Sequence, residues 1–244
     1  MKLREIKMSI DKLKETWNLQ YNSGTDTALK DKNLFQKEIH TLISQLKLNI
    51  NNKTHLNILE LGCGTGYFLS LVHEEFSKIN NLTFNIVGVD FSDSAILNAN
   101  NRSLSNVKFV CKDFSGFLSG NDEKFDIIVT QRSLMAVMEE DDQEIILQQM
   151  HESLTNDGAM VLSECFSNQF KIFNNMRKDA GLPPIEKVWH SRHIDESMLE
   201  RMFGNVVYTE FCSTYMLITR LIYPLFEKNP QHNQYSLTSP PPFF

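Results

Sequence analysis

Residues 57–69 of this 244-residue chain read NILELGCGTGYFL, and this stretch decides the fold. An apolar run ends at Leu61, three alternate glycines follow it, and an amphipathic segment begins at Tyr67. Glycine lets the backbone turn sharply and lets a ligand approach the main chain closely. The pattern predicts a β-strand, a glycine turn and a helix, with the turn available as a ligand-binding loop. A tight turn without a ligand is the alternative.

The position of the third glycine narrows the kind of ligand. In the dinucleotide-binding pattern G-x-G-x-x-G, the third glycine allows close packing of the helix on the strand. In this chain Tyr67 stands at that position, and the third glycine is Gly66, one residue earlier. This register disfavours a turn that holds a pyrophosphate, and with it a nicotinamide-dependent oxidoreductase.

Acidic residues follow the next two apolar runs. Asp90 ends the run VGVD, where a carboxylate can accept hydrogen bonds from both hydroxyls of a ribose, and Phe91 beside it can cover an adenine. Asp113 follows the third run and can accept a hydrogen bond from an exocyclic amine. An aspartate after a strand is also a common turn or helix-cap residue. Two such residues in register with a glycine turn predict a nucleoside site.

Short apolar runs alternate with longer amphipathic ones from Leu56 to Glu164, which is typical of βαβ units and a parallel sheet. The predicted strands are Asn57–Leu61, Asn85–Val89, Lys108–Cys111, Phe125–Thr130 and Ala159–Glu164. The predicted helices between them are Tyr67–Ile79, Ser94–Ala99 and Asp142–Leu154. Helical spacing of apolar residues before this region predicts an N-terminal helical layer.

The chain changes character beyond Glu164. Residues 165–195 are polar and contain glycine and proline, so they predict an insertion with a short helix and a loop. A further helix is expected over Asp195–Phe203. Two β-rich runs, Val206–Cys212 and Thr214–Tyr223, predict an antiparallel strand pair, or one bent strand, at the edge of the sheet.

Five motifs in this order resemble those of the class I S-adenosylmethionine-dependent methyltransferases. They are the glycine turn with Glu60, the acid Asp90, the pair Asp113-Phe114, the strand from Asp126 and the stretch LTNDGAMVL from Leu154. The resemblance extends over residues 56–164. It implies an α/β fold with a seven-stranded Rossmann-like sheet of strand order 3-2-1-4-5-7-6, in which strand seven is antiparallel and helices cover both faces.

The same resemblance implies S-adenosyl-L-methionine as cofactor and S-adenosyl-L-homocysteine as product. The implied cofactor contacts come from an N-terminal aromatic pair, the glycine turn, the ends of strands two and three and the end of strand four: Trp17, Tyr21, Glu60, Gly62, Cys63, Gly64, Gly66, Asp90, Phe91, Ser92, Asp113, Phe114 and Gln131. Trp17 and Tyr21 are expected where related enzymes close an N-terminal segment over the cofactor. Packing of one helix face on the core is the alternative for these two residues.

We expect a single domain over residues 1–244. Its parts are an N-terminal helical cap over 1–50, a cofactor-binding core over 56–164, a substrate lid insertion over 165–195, a final helix with edge strands over 196–223 and an irregular tail over 224–244.

Candidate acceptor-site residues lie after the fourth and fifth strands and in the insertion. Arg132 can face an acceptor or be a solvated loop charge, and Glu164 can act as a base or cap the following segment. His190 and His193 are the first candidates for a general base, because imidazoles titrate near neutral pH. A structural role is the alternative for each histidine.

The charge pattern predicts a small anionic acceptor. The formal net charge of -6 argues against a nucleic-acid partner, which needs a basic surface. Between Lys171 and His193, however, five Lys or Arg residues stand against two acidic ones. A lid with this excess of positive charge predicts an acceptor that carries phosphate or carboxylate.

Short stretches of the insertion and the C-terminal region resemble methyltransferases of bacterial surface-polysaccharide pathways: Asn174-Asn-Met-Arg177, Gly181-Leu, Trp189-His190, Ser213-Thr-Tyr215 and Arg220. This resemblance implies methyl transfer to an oxygen or nitrogen of a sugar phosphate, a nucleotide sugar or a phosphoryl precursor of capsule or surface polysaccharide. Another small metabolite as acceptor, and a non-catalytic S-adenosylmethionine-binding protein, are the alternatives. No Asn-Pro-Pro-Tyr motif follows the fourth predicted strand, which disfavours methylation of nucleic-acid bases.

Cysteine spacing indicates whether a metal site is expected, and the distribution of apolar residues indicates whether the protein is exported or spans a membrane. Cys63, Cys111, Cys165 and Cys212 form no C-x-x-C pair, so we expect reduced, mostly buried thiols and no metal site. The N-terminal residues lack the apolar region of a signal peptide, and no apolar run approaches the length of a membrane helix. We expect a cytoplasmic protein without a membrane span.

Overall fold

A sheet of five parallel β-strands forms the centre of the computed structural model, which describes residues 2–22, 31–210 and 213–226. The strands are β1 His55–Leu61, β2 Thr83–Asp90, β3 Val107–Cys111, β4 Phe125–Gln131 and β5 Leu154–Ser163. Their spatial order is β3-β2-β1-β4-β5, and every pairing is parallel. This confirms the first five strands of the predicted sheet and their order.

The helices, in chain order, are α1 Lys2–Asn22, α2 Lys32–Leu48, α3 Tyr67–Ser77, α4 Asp93–Asn100, α5 Phe114–Ser119, α6 Glu140–Glu152, α7 Ser167–Asp179, α8 Glu196–Phe203, α9 Thr214–Leu217 and α10 Tyr223–Phe226. A 3₁₀ turn spans Leu134–Ala136, and a π-helical turn spans Ile218–Ile222. Helices α1 and α2 form the predicted N-terminal layer. None of the described helices combines the length and hydropathy that a bilayer-spanning helix requires.

Helices cover both faces of the sheet, as predicted. Alternate residues of β1 point to opposite faces, so Ile58 joins the core under α2, α3 and α4, whereas Leu59 joins the core under α5, α6 and α8. Apolar residues of α2 recur from Phe35 to Leu46 at helical spacing and form the buried stripe of that helix. Central strands buried on both faces are expected in a parallel sheet, and β1 and β4 are of this kind.

The strand order reverses between β1 and β4. The chain leaves β1 for β2 and β3 on one side, and it then crosses to β4 and β5 on the other. The carboxyl ends of the two central strands lie side by side, with Leu61 paired to Thr130. In open α/β sheets, ligands bind in the crevice at such a reversal.

The prediction of two further edge strands is wrong for the residues that the structure describes. Val206–Glu210 has no regular secondary structure, and residues 211–212 lie outside the description. Thr214–Tyr223 is helical, because it runs through α9 and the π-helical turn into α10. Its apolar residues do not alternate as in a half-buried strand, and the Ser213 hydroxyl accepts a hydrogen bond from Met216 N–H (3.0 Å) as a helix N-cap.

Other differences are small. Helix α6 begins two residues before the predicted Asp142, because acidic residues in its first turn favour the positive end of the helix dipole. Leu154, predicted as the end of this helix, instead begins β5. Helical structure continues to Phe226, and the rest of the predicted irregular tail lies outside the described residues. Among the cysteines, Cys63 is buried, whereas Cys111 is exposed, contrary to the prediction of mostly buried thiols.

The insertion after β5 consists of α7 and a loop, which confirms the predicted helix and loop. Its two ends meet at a parallel bridge between Phe166 and Ile194. Ser167 N–H donates to the Ile194 carbonyl, and Ile194 N–H donates to the Cys165 carbonyl, both at 2.9 Å. The segment 167–193 is therefore closed at its base.

Candidate functional site

The glycine turn between β1 and α3 requires its glycines for two reasons. Gly62, Gly64 and Gly66 all have positive φ angles, of 82°, 51° and 70°. A Cβ on Gly62 would lie 2.1 Å from the Cβ of Ser133, and a Cβ on Gly64 would lie 2.9 Å from the Tyr21 hydroxyl. The turn is thus packed between the loop after β4 and helix α1.

Asp90, at the end of β2, is bonded to the glycine turn. Its carboxylate accepts hydrogen bonds from Gly64 N–H and Ser92 N–H, both at 2.9 Å. Burial raises the pKa of Asp90 to about 6, although these two donors act in the opposite direction. Asp90 therefore joins the end of β2 to the glycine turn that follows β1.

Helix α1 is held against α4 by polar contacts. The Asn18 Oδ1 atom accepts hydrogen bonds from the Ser92 hydroxyl at 2.6 Å and from Ser94 N–H at 3.4 Å. The Asn98 side-chain amide donates to the Tyr21 carbonyl at 3.1 Å. We call these contacts the α1 latch. The latch holds α1 so that its residues Trp17 and Tyr21 lie over the glycine turn.

A pocket lies beneath α1 at the carboxyl ends of β1 and β4. Its wall consists of the aromatic pair from α1, the glycine turn, the start of α3, one residue of α2 and the end of β4: Trp17, Tyr21, Phe35, Glu60, Gly62, Cys63, Gly64, Tyr67, Phe68, Gln131 and Arg132. The cavity measures about 80 Å³. This is below the roughly 300 Å³ or more of typical ligand pockets, and Trp17 and Tyr21 of α1 form part of the wall.

Three polar atoms in the pocket wall are buried without a hydrogen-bond partner among the described residues. They are Glu60 Oε2, Gln131 Nε2 and Trp17 Nε1. Burial and the nearby Asp90 raise the pKa of Glu60 well above its usual range. Buried polar atoms are nearly always paired, so two donors and one acceptor left open around a glycine turn fit a polar ligand such as the predicted cofactor.

Seven of the thirteen predicted cofactor residues line this pocket, whereas Gly66, Asp90, Phe91, Ser92, Asp113 and Phe114 are not part of its wall. Sequence reasoning missed Phe35, Tyr67 and Phe68, whose apolar character matches ordinary core positions. Asp113 lies outside the wall, is exposed, and caps α5 by accepting a hydrogen bond from Gly116 N–H at 2.7 Å. Phe114 is buried close to Gly62 on the far side of the turn.

Arg132 lies in the pocket wall in an unusual conformation. Its φ angle of 52° is in the left-handed region, which non-glycine residues rarely adopt. Its Nη1 atom lies 3.5 Å from Glu38 Oε2, and its guanidinium lies 5.7 Å from the centre of the Phe35 ring. Two side chains of α2 therefore border this cation.

Glu164 serves the loop after β4. Its carboxylate accepts hydrogen bonds from the backbone N–H groups of Ser133, Leu134 and Met135 at 3.0 to 3.2 Å. Burial raises the pKa of Glu164, although these donors oppose the shift. The side chain thus caps the turn after β4, and not the following segment as considered from the sequence, and its oxygens are engaged.

The two candidate histidines lie among aromatic rings outside the pocket wall. His190 packs against the edge of Trp17, with ring centres 6.1 Å apart, and burial lowers its pKa. Burial, and then the nearby Lys187, lower the pKa of His193 to about 4. His193 packs on Phe170 at 4.6 Å. Both imidazoles are therefore neutral and weakly basic at neutral pH.

Two arginines of the basic insertion are already engaged by other residues and are less available to bind an anionic acceptor than the sequence suggests. Arg177 is buried and donates from Nε to the Pro183 carbonyl at 2.8 Å and from Nη1 to the Arg220 carbonyl. Arg192 is paired with Glu140. The lysines of this segment are exposed. Within the described ranges, no group of three or more His, Cys, Asp or Glu side chains is arranged to hold a metal ion.

Comparisons with known proteins bear on this arrangement. The sequence profile of a family described as a methyltransferase domain matches residues 52–212. The malonyl-[acyl-carrier protein] O-methyltransferase of Bacillus cereus is 32% identical over 155 residues, which are 62% of this chain and 54% of that protein. The protein of the same name from Bacillus anthracis is 26% identical over 188 residues, 74% of this chain and 66% of that one.

The solved complex of DhpI with SAH has the same fold. It superimposes with a TM-score of 0.53 and 14% identity, over 80% of this chain and 85% of that chain. The match to this chain spans 54% of the length of the Bacillus cereus protein and 66% of the length of the Bacillus anthracis protein.

Proposed function

This chain belongs to the methyltransferase domain family, and we propose that it is a class I S-adenosylmethionine-dependent enzyme that methylates the carboxylate of a small or carrier-bound acid. One observation carries the proposal: the pocket wall holds Arg132, whose guanidinium is suited to pair with a carboxylate.

The residues of the pocket fit S-adenosylmethionine. The glycine turn would hold its methionine part, Asp90 its ribose, and the open polar atoms of Glu60 and Gln131 its remaining polar groups. When bound, this cofactor supplies a methyl group on a sulfonium; an in-line nucleophile attacks the methyl carbon, and the sulfur leaves as a neutral thioether. The protein's own task is then to position the nucleophile and exclude water, and Trp17 and Tyr21 cover the pocket for the second purpose.

Tyr21, Cys63, Glu164 and His193 are poorly suited to act as bases, which favours an acceptor that is already deprotonated. Burial raises the pKa of Tyr21 and of Cys63, so both keep their protons at neutral pH. Glu164 is engaged by three backbone donors, and His193 is only weakly basic. A hydroxyl or amine must lose a proton during methylation, whereas a carboxylate carries its negative charge at neutral pH and releases none.

Arg132 supplies the charge that such an acceptor requires. A guanidinium binds carboxylates in a fork of two hydrogen bonds and remains charged at every physiological pH. One carboxylate oxygen would attack the methyl carbon, the sulfur would keep the electron pair of the broken bond, and a neutral methyl ester would form. The names of the two Bacillus relatives refer to O-methylation of a malonyl group, which has a free carboxylate.

The sugar phosphate or nucleotide sugar predicted from the sequence is the second acceptor class. Its hydroxyl would need a base, and His190 is the described candidate nearest to the pocket wall through its contact with Trp17. A small anionic acceptor is common to both classes.

The test is an acceptor panel with the purified chain and S-adenosylmethionine. Malonyl-[acyl-carrier protein], a malonyl thioester of N-acetylcysteamine, free dicarboxylic acids, sugar phosphates and nucleotide sugars are compared by release of S-adenosylhomocysteine and by mass spectrometry of the product. We expect a methyl ester, with kcat/KM nearly constant from about pH 6 to about pH 9 because the carboxylate is ionised throughout.

Variants assign the acceptor site in the same assay. Arg132→Gln should lower kcat/KM for the acceptor about a hundredfold, as expected for the loss of a charged hydrogen-bonding pair, with cofactor affinity retained. Arg201→Gln, which removes an exposed guanidinium paired with Glu144, is the control and should change neither quantity. Methylation of sugar hydroxyls alone, with a rate that rises with pH, would contradict the proposal.

A further inference from the structure

Glu38 lies on α2, outside every set of site residues expected from the sequence, and it contacts the side chain proposed to hold the acceptor. We infer that Glu38 is a positioning residue that fixes the Arg132 guanidinium for the acceptor carboxylate. The inference rests on the proposed function, and it assigns part of the acceptor site to the N-terminal helical layer.

The carboxylate of Glu38 is buried between two partners. It is only 7% exposed. Its Oε1 atom accepts a hydrogen bond from the Ser163 hydroxyl at 2.5 Å, and its Oε2 atom lies 3.5 Å from Arg132 Nη1. A buried carboxylate is costly without a compensating charge, so the pairing with Arg132 explains why this glutamate can sit in an otherwise apolar helix face.

The contact orients Arg132 by charge. A distance of 3.5 Å is longer than a good N–H···O hydrogen bond, and Glu38 Oε2 has no hydrogen-bond partner among the described residues. Phe35, three residues before Glu38 on the same face of α2, lies against the guanidinium and limits its movement on one side. Together the two residues hold the cation at the pocket wall.

Ser163 joins this arrangement to the backbone of Arg132. The Ser163 carbonyl accepts a hydrogen bond from Arg132 N–H at 2.7 Å, while its hydroxyl donates to Glu38. Arg132 has a left-handed backbone conformation, which costs free energy and persists only when its surroundings enforce it. The end of β5 therefore fixes both the main chain of Arg132 and the carboxylate that faces its side chain.

Positioning of this kind affects acceptor binding specifically. A free arginine side chain loses rotational freedom when it binds a carboxylate, and prior ordering removes part of that cost. Loss of Glu38 should weaken acceptor binding and leave the cofactor part of the pocket, which Glu38 does not line, unchanged.

The test measures binding of malonate, a simple dicarboxylate probe, by calorimetry to the whole chain saturated with S-adenosylhomocysteine. Glu38→Gln should weaken malonate binding about tenfold and raise the acceptor KM more than it lowers kcat, with affinity for S-adenosylhomocysteine unchanged. Glu38→Asp should restore part of the affinity. Ser163→Ala, which keeps both charges, should give an intermediate loss and serves if Glu38→Gln folds poorly.

Glu75→Gln is the matched control, because Glu75 of α3 forms an ion pair of 2.7 Å with Lys47 of α2, and neither residue lines the pocket. It should leave malonate binding unchanged. Equal or tighter malonate binding by Glu38→Gln, or no malonate binding by the unaltered chain, would overturn the inference. If malonate binding depends on Glu38 but no carboxylate is ever methylated, the proposed function fails and the inference stands.

Discussion

Gly62 shows how a single residue type decides the local structure of the pocket. Its φ angle of 82° already disfavours any side chain, and an added Cβ would lie 2.1 Å from the Cβ of Ser133. The Ser133 hydroxyl donates to the Leu61 carbonyl at 2.6 Å, so this neighbour cannot simply move away. The glycine is therefore required for packing as well as for ligand approach.

Gly62→Ala should lower the free energy of unfolding by about 3 kcal/mol or more, since steric overlap adds to the backbone strain. Gly181→Ala is the control, because Gly181 has a similar φ angle of 75° and nothing within 4 Å of an added Cβ. That variant should lose only about 1 kcal/mol, the cost of the left-handed conformation. Urea unfolding measures both losses, and equal values would contradict the argument.

Sequence reasoning at the residue scale succeeded where chemistry and position coincide. Glycines, Glu60 and Gln131 were placed at the pocket because strand ends in a parallel sheet converge there. It could not assign the role of Glu164, because the outcome depends on where three backbone N–H groups of another loop point. Glu38 gave no signal, since a lone glutamate in an amphipathic helix is usually a solvated residue.

At the scale of elements, α1 lies over the pocket and contributes two aromatic residues to its wall. Its residues Trp17 and Tyr21 line a cavity of only about 80 Å³, and the α1 latch holds the helix in place. A cofactor of nucleoside size therefore needs α1 to move away before it can leave or enter. Opening of such a covering element often limits the rate of ligand release.

Asn18→Ala should accelerate release of S-adenosylhomocysteine about tenfold, because it removes two hydrogen bonds of the α1 latch, each of about 1 kcal/mol. Thr16→Ala is the control on the same helix, since the Thr16 hydroxyl is exposed and donates only to the Lys12 carbonyl of α1. Stopped-flow tryptophan fluorescence follows the release. An unchanged rate in Asn18→Ala would show that α1 does not control access.

The accuracy of the sequence predictions for whole elements followed the strength of their periodicity. The five core strands alternate with amphipathic helices, and four of them were located to within two residues at each end, whereas β5 begins five residues before its predicted start. Thr214–Tyr223 was mistaken for a strand because β-branched and apolar residues without alternation suit either structure. The choice was made by tertiary contacts, including the hydrogen bond from the Ser213 hydroxyl to the Asp31 carboxylate at 2.6 Å.

For the molecule as a whole, the ionisation of Asp90 links pH to stability. Its pKa rises from 3.8 to about 6 on folding because the carboxylate is buried. Between about pH 4 and about pH 6 the folded chain keeps a proton that the unfolded chain has lost, so folding becomes less favourable as the pH rises. The total effect is about 3 kcal/mol for a shift of this size.

Comparison with Asp90→Asn isolates this contribution. From about pH 4 to about pH 7 the unaltered chain should lose about 3 kcal/mol of unfolding free energy through Asp90, and the variant should not. The stability of the variant relative to the unaltered chain should therefore rise by about 3 kcal/mol over this range. Urea unfolding at several pH values without cofactor measures it. A difference that does not change with pH would mean that Asp90 keeps its ordinary pKa in the folded protein.

Because segment 167–193 is closed at its base, its sequence and length can change in evolution separately from those of the sheet. Because the bridge between Phe166 and Ile194 holds the two chain ends side by side, a segment of another length or composition could replace it without disturbing the sheet.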